Sequence, residues 1–294
     1  RLAVAMHRQL ERGVARELCE QSFEVAHVIG DEALAAEALN TLGGFELEAG
    51  QPGNAGDLFR RALTMSADNP ALLGRIEQNL GIIANIRGDL AAALAHYENS
   101  LAASMKARDD SGCAIAYHNL GMISADQHDW ERADYYFDSS LALADSLGDV
   151  RLRGLCLLNR TEVFIARQRF EEARVSAEDA LRLFDELNAR AQKADAYKFL
   201  GVVSRETGRS VLAEARLTSA IALAVECGSA LGEAEASREL AKLHQLMGRN
   251  QEALRLLNAA RGLFVHLDAR GDLRDVTSKA SELEATYLAI VRDW

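Results

Sequence analysis

Seven histidines, four cysteines and 44 carboxylates are the side chains of this 294-residue chain with the chemistry to bind a metal or move a proton. The histidines stand at His7, His27, His96, His118, His128, His244 and His266. None falls in an HExxH run or at another paired metal-ligand spacing. Cys19, Cys113, Cys156 and Cys227 lie far apart with no CxxC pair, so neither a zinc site nor a disulfide framework is expected. They read as core thiols of a reduced, cytoplasmic protein. Glu131, Asp134, Glu171, Glu172 and Asp179 fall in carboxylate-rich stretches of amphipathic helix, which form solvated faces rather than acid–base pairs. There is no GxSxG elbow, no GxxxxGKS/T loop and no Gly-rich strand-to-helix turn. The chain reads as non-catalytic, with no metal and no cofactor.

Charge and hydropathy narrow the partners. With 33 basic and 44 acidic residues the net charge is −11, which disfavours general binding to a phosphate backbone. No basic stripe carries interleaved aromatics, so no nucleic-acid partner is expected. No apolar run approaches the roughly 18 residues of a membrane span, and nothing resembles a signal peptide, so no membrane partner is expected either. A hydrophobic content of 49% suffices for a packed core, and two prolines among abundant Ala and Leu favour long helices over sheets.

The informative polar residues are those that recur. Asn79, Asn119 and Asn159 are spaced by 40 and 40 residues, and they belong to a longer rhythm. A small residue returns at Ala3, Gly43, Gly81, Gly121, Thr161, Gly201 and Ala241. Twelve residues after each comes Ala15, Ala55, Ala93, Ala133, Ala173, Ala213 or Ala253. Four further on stand Cys19, Phe59, Tyr97, Phe137, Ala177, Leu217 and Leu257; three more bring Ser22, Ala62, Ser100, Ser140, Ala180, Ala220 and Ala260. Four columns that keep phase over seven repeats exclude chance. Glycine costs about 1 kcal/mol in a helix interior, so its recurrence marks close backbone approach. The expectation is that the small column nests against the alanine column of a paired antiparallel helix. The bulky residue four on then fills the space one turn along. Turn signals separate the helices: EAGQPGN at 48–54, RGD at 87–89, QHD at 127–129, TGR at 207–209 and MGR at 247–249. IGD at 29–31, RDD at 108–110 and LGD at 147–149 separate the repeats, and Trp130 and Phe170 are placed to staple the two helices of theirs.

Tyr117-x-x-Leu120-Gly121 followed by Ala133-x-x-x-Phe137 resembles the tetratricopeptide repeat, as does Tyr197-x-x-Leu200-Gly201 followed by Ala213-x-x-x-Leu217. A 40-residue period is similar to the long variant of kinesin light chains, LGN-type scaffolds and bacterial signalling regulators. The resemblance implies an all-α fold: an α-solenoid, wound as a right-handed superhelix, of about seven helix pairs plus a C-terminal capping or connector helix. The repeats run over 1–31, 32–69, 70–110, 111–149, 150–189, 190–229 and 230–269 of one solenoid covering 1–294, with the terminal helix at 273–294. The family's proline after the second helix is absent. In the repeat at 150–189 Arg160-Thr161 stands where Leu-Gly is expected, which leaves Arg160 either snorkelling to solvent or in a buried salt bridge.

In this family the first helices of the pairs line a concave groove. Their stripe here is apolar with amides in its middle, through Ile82, Ile86, Ile115, Met122 and Leu155, and charged at its ends. Such a patch reads as a binding surface, against the competing reading that these side chains pack on the next repeat. The resemblance places Asn79, Asn119 and Asn159 where related proteins grip the backbone of an extended peptide. Ile82, Met122 and Leu155 are expected to select apolar residues, and Lys198, Arg205, Arg238 and Lys242 to meet an acidic one. Asn40 and Gly44 stand where a carboxylate clamp needs Lys and Asn, so that mode is not expected. The first reading of function is therefore a regulatory or scaffolding module that binds a protein, peptide or partner helix. A second takes LEATYLAIVRDW at 283–294 as similar to the helix leading into HD-GYP-type cyclic-dinucleotide phosphodiesterase domains, making the chain the sensory segment of a larger bacterial signalling enzyme. A third is self-association as a homodimer. The first repeat opens inside a helix, which reads as a repeat begun upstream of Arg1.

Overall fold

The computed structural model describes residues 2–66, 68–267 and 269–292, with the side chains of 13–285 apart from 67, 268, 270 and 271; every regular element among them is an α-helix. Two compact units are distinguished, Arg1–Gly148 and Asp149–Trp294. The first holds α1 (Leu2–Ile29), α2 (Glu32–Glu48), α3 (Pro52–Met65), α4 (Pro70–Ile86), α5 (Leu90–Ala107), α6 (Asp110–Asp126) and α7 (Trp130–Leu147). The second holds α8 (Val150–Ala166), α9 (Phe170–Glu186), α10 (Arg190–Glu206), α11 (Ser210–Cys227), α12 (Ala230–Leu246), α13 (Asn250–His266) and α14 (Arg270–Arg292). Successive helices form antiparallel pairs, the arrangement of an all-α solenoid. Six complete pairs, α2/α3 to α12/α13, are present among the described residues. Where a first pair is expected, α1 runs through as a single helix of 28 residues, because the stretch between Ala3 and Ala15 carries no turn sequence like the RGD, QHD, TGR and MGR that follow other first helices. The terminal helix is described to Arg292, and residues 293 and 294 of its expected span lie outside the described residues.

The junctions explain the helix ends. Asp31, Asp89, Asp109, Asp129 and Asp149 each accept a hydrogen bond from the backbone N–H three residues on, capping α2, α5, α6, α7 and α8. The residue in front of each sits in the left-handed region, which glycine enters without a steric cost, as at Gly30, Gly88 and Gly148. Arg108 and His128 make the same turn at φ 55° and 59°, so the junction geometry prevails over their side-chain preference. Asp129→Ala removes a cap and is expected to cost about 1 kcal/mol. The urea midpoint of the chain should fall accordingly; an unmoved midpoint would show that the cap carries no stability.

Packing corrects one expectation. From Ala55 to Ala253 the alanine column is fully buried, whereas Ala15 in α1 is half-buried, yet it is the bulky column that the glycines accommodate. A Cβ built on Gly43, Gly121 or Gly201 would stand 2.5, 2.7 or 2.6 Å from Phe59, Phe137 or Leu217, and on Gly81 it would strike the Tyr97 ring. Each glycine is thus a slot for the ring or branched chain sixteen residues later. Burial also pushes the Tyr97 hydroxyl up to a pKa of about 12. Ser100 and Ser140 tie the pairs further by donating to the Gly74 and Ala114 carbonyls at 2.8 and 2.7 Å. The repeat at 150–189 departs in both columns at once, with Thr161 and Ala177 both fully buried. Its slot has moved to Gly154, where an added Cβ would meet the Phe184 ring at 2.9 Å. The half-buried Arg160 places its guanidinium over the Phe164 ring, 4.8 Å from the centroid. Phe170 packs on Phe164, Ala173 and Val203, whereas Trp130 stacks on His128 at 5.3 Å within the turn. No disulfide joins the four cysteines; Cys113 and Cys156 are buried, Cys19 is half-buried and Cys227 is exposed in the last turn of α11.

Candidate functional site

Within each unit the first helices of successive pairs lie side by side: α2, α4 and α6 in one, α8, α10 and α12 in the other. Their shared face carries the stripe residues. In the amino-terminal unit Asn79 donates to the Asn40 side chain at 2.9 Å, and Arg75 reaches Glu37 at 3.0 Å, so neighbouring helices are cross-linked along this face. The phase of the repeat points to Thr41 as the partner of Asn79, but Thr41 bonds its own helix and Asn40, one residue out of phase, takes the contact. Asn119 is half-buried beside His118, whose imidazole burial holds well below its ordinary pKa, with a hydrogen bond to Asn119 partly offsetting that effect. Ile82 is half-buried against the cluster of Tyr97, Leu120 and Ile123, while Met122 and Ile86 are exposed. Ile82 thus packs on the stack, while Met122 and Ile86 lie on the surface.

In the carboxy-terminal unit Leu155 packs half-buried against Leu158, Phe184 and Ala196, and Asn159 is half-buried one turn on. Lys198, Arg205, Arg238 and Lys242 converge on one cleft of about 350 Å³, lined also by Glu162, Glu235 and Glu239 and floored by Ile165, Phe199 and Val202. They do not present bare charge. Lys198 binds Glu235 and lies 3.6 Å from Asp195. Arg205 binds Glu239 at 2.7 Å and Glu206 at 2.9 Å. Lys242 binds Glu239 at 2.5 Å, and Arg238 binds Asp272. Burial alone would lower the Lys198 pKa, but Glu235 and Asp195 outweigh it and the ammonium stands above the ordinary lysine value. Glu239 behaves in mirror image: burial opposes its ionisation, and Lys242 and Arg205 prevail and hold its pKa down. Asp195 is raised, chiefly by burial. The four cations thus each have an acidic partner within the chain. An acidic residue of a ligand would have to compete with these partners.

Other features of the surface are less concentrated. A recess of about 590 Å³ in the amino-terminal unit is lined by Met105, Arg108, Cys113, Tyr117 and Leu143 among others. Among the described residues no group of three His, Cys, Asp or Glu is placed to hold a metal ion. No helix among them is long and apolar enough to cross a membrane.

A family model described as the tetratricopeptide repeat matches residues 72–146 and 112–186. Among curated proteins none matches. Solved structures do. The apo form of RapI aligns with a TM-score of 0.73 at 14% identity, covering 92% of this chain and 96% of that chain. BtubC (BKLC) from P. vanneervenii aligns with a TM-score of 0.62 at 21% identity, covering 74% of this chain and 92% of its own. A Rap protein complexed with Competence and Sporulation Factor gives a TM-score of 0.62 at 14% identity, over 88% and 79%. At these identities the likeness is one of fold.

Proposed function

We propose, from the match of residues 72–186 to the tetratricopeptide repeat model and a fold shared with such solenoids, that the chain is a non-catalytic interaction module, the regulatory part of a larger bacterial signalling protein. It holds an extended peptide or a partner helix on the faces of its first helices. The observation that carries this reading is the cleft on α8, α10 and α12, where an apolar floor of Ile165, Phe199 and Val202 is framed by charged side chains. A floor of that kind left open to solvent is the usual form of a recognition surface. The complex of a Rap protein with Competence and Sporulation Factor is a similar fold engaged with a partner, which supports the reading. Four cysteines without a disulfide among them support a reducing, cytoplasmic setting.

Asn79, Asn119 and Asn159 serve this function because an amide offers a donor and an acceptor, matching a peptide bond whatever side chains flank it. Ile82, Met122 and Leu155 add apolar contacts, and Lys198, Arg205, Arg238 and Lys242 shape the charged end. The test begins with an array of acetylated, amidated dodecapeptides probed with the purified chain, followed by calorimetry of the strongest binder. Each lost hydrogen bond should cost about 0.5–1.5 kcal/mol, so Asn119→Ala with Asn159→Ala should weaken binding roughly five- to a hundredfold at unchanged helicity. Equal affinity for the double variant and the parent chain would defeat the groove reading.

A further inference from the structure

The surface of α1 differs from that of the second helices it resembles in sequence. By repeat phase Ala15, Cys19 and Ser22 stand in columns that are buried in every second helix from α3 to α13, yet in α1 all three are half-buried. Beside them Val14, Leu18 and Val25 are 54%, 59% and 57% exposed, and Val28 and Ile29 continue the same stripe. In each second helix from α3 to α13 the positions of Leu18 and Val25 hold a buried or half-buried side chain, from Leu58 and Met65 to Leu256 and Leu263. The first helix of the same pair is what meets the position of Leu18. His96 lies 2.6 Å from Glu77, the Tyr136 ring 6.2 Å from that of Tyr117, and Ser176 donates to the Leu157 carbonyl at 2.8 Å. Because α1 runs straight through, no first helix lies on this face among the described residues; its neighbour is α2. The last helix, α14, makes the contrast: none of its described side chains is an exposed large apolar residue, which is the polar outer face a capping helix needs. The stripe on α1 is instead an open pairing face.

The rim of that face sets the charge of what covers it. Glu17, Gln21 and Glu24 follow one another by four and three residues along one edge of the stripe, and all are exposed. Among the described residues neither Glu17 nor Glu24 takes part in an ion pair. The neighbouring Arg16 is held by Glu20 at 3.1 Å and Glu46 at 2.7 Å. A second copy of α1, packed face to face about a two-fold axis, would set one acidic edge against the other. A helix with Lys or Arg along its edge would meet Glu17 and Glu24 with opposite charge, and the net charge of −11 attracts it from a distance. We infer that the outer face of α1 docks a basic amphipathic helix of a partner protein, with its apolar stripe on Leu18 and Val25 and its basic edge beside Glu17 and Glu24. This surface stands apart from the groove and does not depend on that reading.

Two segments of the chain serve as probes, since each is a first helix: 190–206, with four basic and two acidic residues, and 230–246, with two Lys or Arg and three acidic residues. Both are made as acetylated, amidated, fluorescently labelled peptides and titrated with the intact chain. The 190–206 peptide should bind more tightly than 230–246. Leu18→Gln with Val25→Gln should weaken it roughly tenfold or more. Glu17→Lys with Glu24→Lys should reverse the preference between the two peptides. All four side chains are exposed, so the variants should keep the parent helicity and melting temperature, which circular dichroism verifies. Asn119→Ala with Asn159→Ala should leave the 190–206 affinity unchanged, which separates this face from the groove. Failure of both peptides to bind would overturn the inference, as would undiminished affinity of the folded Leu18/Val25 variant or a preference that charge reversal does not move. Loss of the peptide in the Asn119/Asn159 variant would place it in the groove and overturn the inference while supporting that reading. A dimer of the parent chain in light scattering that Leu18→Gln with Val25→Gln dissolves would give the face to a second copy and overturn it too.

Discussion

Ala133→Asp is expected to lower the melting temperature of the Arg1–Gly148 unit by about 10 °C. Ala133 has no exposed surface and begins the second helix of its pair, where its N–H closes the first turn onto the Asp129 carbonyl. A carboxylate there has no water and no cation placed to receive it. An unpaired buried charge costs about 3–5 kcal/mol. Each kcal/mol shifts the melting temperature of a domain this size by roughly 2–4 °C. The introduced group escapes part of the cost by remaining protonated, which raises its folded-state pKa above the unfolded value. The folded state then binds the proton more tightly than the unfolded state, so the destabilisation is complete above the folded pKa and shrinks as the pH falls towards the ordinary carboxylate range. Ala133→Ser provides the control, since its hydroxyl can bond the carbonyl four residues back. Melting followed at pH 7 and pH 4.5 decides the matter. An unchanged melting temperature for the aspartate variant would show that the column is not sealed from solvent.

Much of this architecture is legible in the residue pattern, and the parts that are not share a cause. A column of alanines at a 40-residue spacing must be buried, and from Ala55 to Ala253 it is. What periodicity leaves open is which column faces which, because phase along a helix says nothing about the register between two helices. That is why the partner of Gly121 is the Phe137 ring rather than Ala133. The same gap accounts for the site. Lys198, Arg205, Arg238 and Lys242 were recognisable as a group from helical spacing alone, but their partners sit on the next repeat: Lys198 reaches Glu235 and Arg205 reaches Glu239. Arg75 to Glu37 and Asn79 to Asn40 follow the same rule, with separations of 38 and 39 residues. A cation and a carboxylate separated by slightly less than one period are therefore facing neighbours in this stack. That signal lies in the residues, and it would have identified the paired cations before any coordinates. The continuous α1 is a different case. Its phase matches the other repeats, yet phase cannot break a helix where the turn residues are missing.

The exchange of bulk in the α8/α9 repeat gives the second large effect. In the pairs α4/α5, α6/α7 and α10/α11 a glycine admits a ring or branched chain sixteen residues later, so the two positions have complementary volumes. Thr161 and Ala177 occupy those positions in α8/α9 with the volumes reversed, and neither has exposed surface. Ala177→Phe should therefore drive a ring into the space of the Thr161 side chain and cost about 1–3 kcal/mol, the usual range for overpacking a well-filled core. Thr161→Gly alone should cost a comparable amount, through about 1 kcal/mol of helix propensity and a void where the side chain had been. The threonine also loses its own bond to the Leu157 carbonyl at 2.9 Å, an interaction within its helix that the glycine variant forgoes. Combined, the two changes rebuild the slot of the neighbouring repeats, and the double variant should be more stable than the sum of the single losses by about 1–3 kcal/mol. Urea unfolding of the four chains closes the cycle. Losses that simply add would mean that Thr161 and Ala177 do not share a space, and that Gly154 with Phe184 has replaced the lock rather than moved it.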